Sequence, residues 1–308
     1  MITGSAETAA AALNGGALVL LPTETVYGLA ADASNPLAVA AIYQAKGRPS
    51  FNPLIAHVAD LEAAQAIAVL DERALKLARA FWPGPLTLVA PIRAPELVCD
   101  LARAGLDTVA VRVPGHDLAR AVLHAFGKPV VAPSANRSGR PSPTNLNDAM
   151  EETGFAVAAA LDGGPCTVGL ESTVVAVFGG QLRLLRPGAV TRAQIEAVAG
   201  PLSDDPDASD AHRSPGRLAL HYAPDAPVRL NATDALPGEA FLGFGAVGPG
   251  EFNLSPSGDL AEAAANLFAF LRSADRRKPA AIAVAPIPQE GLGEAINDRL
   301  NRAAGFVG

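Results

Sequence analysis

The chain of 308 residues is poor in cysteine and in aromatic side chains. Its two cysteines, Cys99 and Cys166, do not have the spacing of metal ligands. This excludes a disulfide scaffold and favours a reducing compartment. Aromatic residues make up only 5% of the sequence, so the core must pack through Ala, Leu and Val. Hydrophobic residues reach 49% and charged residues only 18%, which excludes a disordered chain and allows a sizeable core.

The sequence also lacks long apolar runs and an excess of positive charge. No run approaches the ~20 apolar residues that a membrane span needs. Residues 1–16 do not have the basic and apolar regions of a signal peptide. The net charge of −7 argues against bulk nucleic-acid binding. These absences predict a cytoplasmic protein with no membrane segment and no stable nucleic-acid partner.

Three common chemical motifs are missing as well. The sequence contains no GxxxxGK[ST] phosphate loop, no GxGxxG dinucleotide fingerprint and no GxSxG hydrolase elbow. Any nucleotide must therefore bind in a local pocket that other residues build.

Strand-like and helix-like segments alternate through the first 200 residues. This alternation predicts an α/β fold with a mixed parallel and antiparallel sheet. Asn35-Pro36 and Gly47 mark the two ends of one helix, and Gly179-Gly180 predicts a tight hairpin. The stretch PTETVYGLAAD after the first strand is expected to be a loop. The predicted strands are 17–21, 53–58, 86–91, 108–113, 129–132, 157–161, 173–178 and 182–185, and the predicted helices are 37–45, 61–69, 72–81 and 117–126.

The composition changes after residue 200. The segment SDDPDASDAHRSPG is acidic and rich in Pro and Gly, which is typical of a linker. Periodic segments then return, at 240–244, 260–272, 280–285 and 294–304. The sequence therefore predicts a domain over 1–200, a linker over 201–226 and a small α/β domain over 227–308.

The segment KGRPSFNPLIAH carries two cations where a helix becomes a loop. Lys46 and Arg48 flank Gly47, and His57 ends the strand that follows. This arrangement suits a polyanionic ligand, although an exposed helix end accounts equally well for the two cations alone. A histidine at a strand end is more often a satisfied, partly buried residue than a catalytic one.

Other polar residues follow the ends of predicted strands, where α/β proteins usually bind ligands. Arg112 lies in an apolar strand, so its charge must be paired or must bind a ligand, and Glu24 and Glu171 are possible partners. Ser134 and Asn136 are equally typical of a turn. The residue types and their positions therefore predict an anion-binding pocket that suits phosphate and carboxylate groups.

The motifs taken together resemble the YrdC-like family. Two segments resemble its two-domain members, the threonylcarbamoyl-AMP synthases of tRNA modification: SPGRLALHYAP in the linker and PQEGLGEAINDRLNRAA near the end of the chain. The other motifs, in chain order, are PTETVYGL, KGRP…NPL…H, WPGPLT, VRVP, PSAN.SG.PSPT, DGG…GLESTV and RPG.

The resemblance implies a fold and a reaction. The expected fold is a twisted mixed sheet around an open cavity, followed by a small Rossmann-like domain, with the linker folded over the cavity. The expected enzyme is a nucleotidyltransferase that converts L-threonine, bicarbonate and ATP, with Mg²⁺, into threonylcarbamoyl-AMP and pyrophosphate. A downstream tRNA threonylcarbamoyl-transferase system then uses the product.

The resemblance also implies roles for particular residues. Lys46, Arg48, Ser134 and Asn136 match the family's KxR…SxN signature and are expected to be catalytic, with Lys46 and Arg48 holding phosphates. The expected threonine site consists of Thr25, His57, Arg112, Ser134 and Ser172. The expected ATP site consists of Arg48, Asn52, Thr108, Ala132, Ser142, Arg186 and Tyr222.

Two other functions compete with this reading. An RNA-binding module of the same fold predicts a basic surface and salt-sensitive binding without turnover, against which the net charge counts. A carbamoyl-transfer domain of the hydrogenase-maturation type is embedded in longer chains with zinc-finger-like cysteines, which two isolated cysteines do not supply.

Overall fold

The computed structural model describes residues 2–3, 5–49, 52–203, 222–248 and 250–305. Within them, ten strands form one large sheet in the order β1-β8-β2-β3-β7-β4-β6-β5-β9-β10. The sheet contains both parallel pairs, such as β4 with β6, and antiparallel pairs, such as β5 with β6, so the predicted mixed sheet is confirmed. The strands are β1 (Ile2–Thr3), β2 (Leu18–Leu21), β3 (Gly28–Asp32), β4 (Ile55–His57), β5 (Leu86–Pro91), β6 (Thr108–Arg112), β7 (Val130–Val131), β8 (Val157–Leu161), β9 (Thr173–Phe178) and β10 (Gln181–Arg186).

Helices flank the large sheet, and their ends follow the local signals. The Asn35 side chain caps α2 by accepting from the N–H groups of Leu37 and Ala38, and Gly47 ends α2 with φ of 59°. The helices are α1 (Ala6–Asn14), α2 (Pro36–Lys46), α3 (Leu61–Ile67), α4 (Glu72–Phe81), α5 (Asp100–Arg103), α6 (Asp117–Phe126), α7 (Leu146–Thr153) and α8 (Arg192–Ala199), with a 3₁₀ turn at Gly154–Ala156.

The predicted hairpin is confirmed, whereas the expected loop after β2 is wrong in part. Gly179 and Gly180 connect antiparallel β9 and β10, with φ of 62° and 73°. Residues Gly28–Asp32, expected in the loop, instead form β3 between β2 and β7. Their small side chains give a weak strand signal, and the hydrogen bonds of two neighbouring strands outweigh it.

The C-terminal part of the chain forms a small second sheet. Its strands β11 (Val228–Arg229), β13 (Ile282–Val284) and β12 (Ala240–Leu242) pair in parallel in that order. Helix α9 (Leu260–Asp275) packs on strands β12 and β13, and helix α10 (Leu292–Ala303) packs against α9. A parallel sheet with helical connections is the arrangement expected of the small Rossmann-like domain.

The small domain packs directly on the large one. Its hydrophobic core continues into Val26 and Leu170 of the large domain. Gly169 has φ of 73°, and a Cβ there would lie 2.5 Å from the Cα of Ala265 on α9. Only glycine therefore permits this close approach of α9 to the loop before β9.

Candidate active site

A cavity lies against β4 and the ends of β6, β7 and β10. Nine of the fourteen residues named from the sequence line this cavity: Thr25, Arg48, His57, Arg112, Ala132, Ser134, Ser172, Arg186 and Tyr222. The remaining lining residues are Val26, Pro53, Leu54, Ile55, Pro133 and Glu171. The fold therefore brings together residues that lie far apart in the chain.

Arg112 ends β6 and is almost completely buried. Its Nε donates to the carbonyl of Gly84 at 3.1 Å, Nη1 donates to Oγ1 of Thr25 at 2.9 Å, and Nη2 pairs with Glu24. Of the two partners considered from the sequence, Glu24 is therefore the one that pairs with Arg112. A guanidinium has five N–H donors, so two are left over from these bonds to the described residues and can meet a ligand carboxylate.

The pair of Arg112 with Glu24 also determines the charge of the carboxylate. Burial by itself raises the pKa of the Glu24 carboxyl, but the nearby Arg112 guanidinium outweighs burial and lowers this pKa. Glu24 is therefore ionised at neutral pH, and it holds the guanidinium in place at the cavity.

His57 ends β4, beside Arg112 in the register of the sheet. Its Nδ1 lies 3.2 Å from the carbonyl oxygen of Ile55, which can only accept, so this contact is a hydrogen bond in the tautomer with the proton on Nδ1. Burial and the adjacent Arg112 cation lower the pKa of His57 to about 3. The imidazole is therefore neutral at physiological pH and adds no second cation beside Arg112.

A second group of polar side chains lies where β9 begins and β10 ends. The hydroxyls of Ser172 and Thr87 are 2.7 Å apart. Arg186 donates from Nη2 to the Ser172 carbonyl at 2.9 Å and to its hydroxyl at 3.2 Å. These bonds hold the Ser172 hydroxyl against the cavity.

Lys46 and Arg48, which are two residues apart, have different surroundings. Lys46 is buried, lies outside the cavity lining, and donates from Nζ to the carbonyls of Ser134 and Asn136. These two bonds hold the loop after β7, and a contact of Lys46 with phosphate stays a prediction. Arg48 does line the cavity, with Nη2 3.2 Å from the carbonyl of Pro53. Burial lowers the pKa of Arg48 to about 10, which still leaves it cationic at neutral pH.

Four other named residues lie near the cavity but outside its lining: Asn52, Thr108, Asn136 and Ser142. Thr108 begins β6, roughly 13 Å along the strand from Arg112 at ~3.3 Å per residue. Asn136 donates from Nδ2 to the carbonyls of Arg137 and Arg140, so it shapes its own loop. Ser142 donates to the carboxylate of Glu171.

Tyr222 closes the cavity from the side of the small domain. It is 1% exposed, has φ of 63°, and lies 5.4 Å from the ring of Phe268 on α9. Most of the linker expected to cover the cavity, residues 204–221, lies outside the described residues. Tyr222 thus connects the end of that linker to both the cavity and the small domain.

Glu171 and Arg299 are the site residues that the sequence reading did not assign. Glu171 lines the cavity, and its Oε2 accepts from Nε of Arg299 on α10 at 2.9 Å. The sequence named Glu171 only as a possible partner of Arg112. Arg299 lies in the segment PQEGLGEAINDRLNRAA that carries the family resemblance, but its role was not assigned, because its partner lies 128 positions away.

The site as a whole is built to hold anions. Arg48, Arg112 and Arg186 face one cavity together with the hydroxyls of Thr25 and Ser172. Fixed guanidinium groups in a site of low dielectric bind phosphate and carboxylate groups strongly.

Across the part of the chain that the structure describes, His, Cys, Asp and Glu form no cluster that could hold a metal ion. None of the helices in that part is long and apolar enough to cross a membrane.

Comparisons with known proteins agree with this architecture. Residues 11–188 match the family model Sua5_yciO_yrdC, described as "Telomere recombination", and residues 190–305 match Sua5_C, described as "Threonylcarbamoyl-AMP synthase, C-terminal domain". The threonylcarbamoyl-AMP synthase of Bacillus subtilis is 41% identical over 96% of this chain and 92% of its own length. That of Pyrococcus abyssi is 39% identical over 97% of this chain and 93% of its own length.

A solved structure extends the similarity to three dimensions. The crystal structure of P. abyssi Sua5 complexed with L-threonine superposes with a TM-score of 0.89 at 35% identity, covering 99% of this chain and 98% of that one. The similarity therefore includes both domains. The chain belongs to the threonylcarbamoyl-AMP synthase family.

Proposed function

We propose that this protein is an L-threonylcarbamoyladenylate synthase. It joins L-threonine, bicarbonate or CO₂, and ATP into threonylcarbamoyl-AMP and releases pyrophosphate, as a nucleotidyltransferase. The observation that carries the proposal is one cavity in which a carboxylate-binding group, Arg112, faces the same space as Arg48 and Arg186. The full-length similarity to the named synthases and to a protein complexed with L-threonine supports it.

The chemistry requires placement more than a dedicated base. The threonine amine adds to CO₂ or bicarbonate and gives an N-carboxylate, with a proton released when CO₂ is used and water released when bicarbonate is used. That carboxylate attacks the α-phosphorus of ATP, and the bond to pyrophosphate breaks. Negative charge builds on the phosphoryl oxygens and on the leaving group, so fixed guanidinium groups supply most of the stabilisation.

The residues divide between the two substrates as follows. Arg112 holds the threonine carboxylate with its two remaining N–H donors, and the neutral His57 borders the same subsite without competing for the carboxylate. Arg48 and Arg186 hold phosphate oxygens, and Tyr222 closes the nucleotide side. Lys46 keeps Ser134 and Asn136 in position through their carbonyls.

Mg²⁺ enters this proposal as part of the Mg·ATP substrate. Both oxygens of Glu171, the carboxylate of the cavity wall, already bond to Ser142 and Arg299. The donor set therefore suits a Mg²⁺ ion held mainly by phosphate oxygens and water, with protein hydroxyls beside it. The cytoplasmic location and the downstream tRNA-modifying system belong to the same proposal.

Pyrophosphate release from ATP tests the proposed function. We expect release by the purified protein to require both L-threonine and bicarbonate. The Lys76→Ala variant, which removes an exposed cation paired with Glu72, should behave like the wild type. Release that is unchanged when either compound is omitted would overturn the proposal.

A further inference from the structure

We propose that Arg299, on α10 of the small domain, is a positioning residue of the nucleotide subsite. It neutralises and fixes Glu171, so that the cavity wall presents no free negative charge to the ATP phosphates. The inference rests on the proposed function in one respect, because it takes ATP to be the anion that occupies this subsite.

The first observation concerns Glu171. This residue lines the cavity and is 6% exposed, so its carboxylate has little access to water. One carboxylate oxygen accepts from the hydroxyl of Ser142, and the other accepts from Arg299. An ionised carboxylate in such a place is stable only when it is paired.

The second observation concerns the origin of the cation. Arg299 is 0% exposed, and its Nη1 also bonds to Asp298 at 2.7 Å. Its guanidinium carbon lies 5.4 Å from the centroid of the Tyr222 ring. One side chain of the small domain therefore supports two groups of the cavity wall, Glu171 and Tyr222, without lining the cavity itself.

The electrostatic consequence follows from the rest of the cavity. Arg48 and Arg186 attract phosphate groups, whereas a Glu171 carboxylate without Arg299 would repel them and would compete with them for Arg186, whose charge acts on it. In a site with little water, screening is weak and this repulsion acts at close range. The pair with Arg299 removes the repulsion and keeps the carboxylate from drawing a cavity arginine toward itself. The small domain thereby takes part in nucleotide binding through Glu171.

Four variants separate this charge effect from a loss of structure. Arg299→Met removes the cation, Glu171→Gln removes the anion, and a double variant removes both. Arg299→Lys keeps the charge with a different geometry. Arg302→Met is the matched control, because Arg302 pairs with the same Asp298 at 3.0 Å one helical turn further along α10.

The readouts are the affinity for Mg·ATP by calorimetry without threonine, the KM values for ATP and threonine, and the thermal midpoint. We expect Arg299→Met to weaken Mg·ATP binding roughly tenfold, with the threonine KM changed less than about threefold. The double variant should bind Mg·ATP within about threefold of Glu171→Gln alone, and Arg299→Lys should stay within about threefold of the wild type. Arg302→Met should bind as the wild type does.

Several results would overturn the inference. A double variant as weak as Arg299→Met means that the loss is structural, and Arg302→Met with an equal loss means that α10 is merely destabilised. If Arg299→Met does not fold, a loss of binding in folded Arg299→Lys with a normal threonine KM still contradicts the charge argument. Mg·ATP binding needs no turnover, so a wild type that binds Mg·ATP but lacks threonine-dependent pyrophosphate release overturns only the proposed function.

Discussion

The substitution Arg112→Lys tests how the cavity recognises a carboxylate. Arg112 donates three of its five N–H groups to Gly84, Thr25 and Glu24, so two N–H groups remain for a ligand. A lysine ammonium has only three donors on one atom and cannot serve the protein acceptors and a bidentate carboxylate together. The salt bridge to Glu24 is kept, so the variant should fold.

The expected loss follows from the two hydrogen bonds to the ligand carboxylate. Each charge-assisted bond contributes about 1.5–3 kcal/mol. The lysine charge retains part of the attraction, so the net loss should be about 3 kcal/mol, which is roughly a 10²-fold weaker threonine dissociation constant. Mg·ATP binding should change less than about threefold, because Arg112 faces the threonine side.

Titration calorimetry with L-threonine and with Mg·ATP measures both effects. Arg103→Lys is the control: Arg103 is also buried and donates to a carbonyl, that of Val98 at 3.0 Å, but it lies outside the cavity lining. A threonine affinity within threefold of the wild type, in a variant with a normal thermal midpoint, would refute the carboxylate assignment. An equal loss for Mg·ATP would show that the substitution acts on the whole cavity.

Two further predictions concern His57 and Lys46. The folded-state pKa of His57 is about 3, whereas its ordinary value is 6.5. Between these two pH values the unfolded chain binds more protons than the folded chain. Falling pH should therefore destabilise the wild type relative to His57→Gln. The difference in unfolding free energy should change by about 1.4 kcal/mol per pH unit below 6.5, as measured by urea denaturation, and a pH-independent difference would contradict it. Lys46→Met should lower turnover roughly 10²-fold and also destabilise the fold by about 1–3 kcal/mol for each carbonyl left unpaired. Lost turnover with unchanged stability would instead support a direct phosphate contact by Lys46.

The surroundings of the predicted cations show why charge and position in the sequence do not define a role. Lys46 and Arg48 are two residues apart, yet one faces carbonyl groups and the other faces the cavity. The left-handed Gly47 between them turns the chain, so the two side chains point to different neighbours. Their separate roles were therefore not predictable from the shared motif.

Local signals in the sequence determined much of the framework. Asn35 and Gly47 set the two ends of α2, and Gly179-Gly180 set the β9–β10 hairpin, because capping and turn geometry depend on adjacent residues. The apolar strand around Arg112 showed that its charge needed a partner. The family resemblance supplied the substrates, which no local pattern identified.

Tertiary structure decided the features that depend on distant partners. β3 exists because β2 and β7 complete its hydrogen bonds, although its own sequence resembles a loop. The partner of Arg112 is Glu24, while Glu171 pairs with Arg299, and only the folded positions distinguish these choices. An ion pair between residues 128 positions apart has no signature in a single sequence, since Coulomb attraction depends on distance in space and not along the chain.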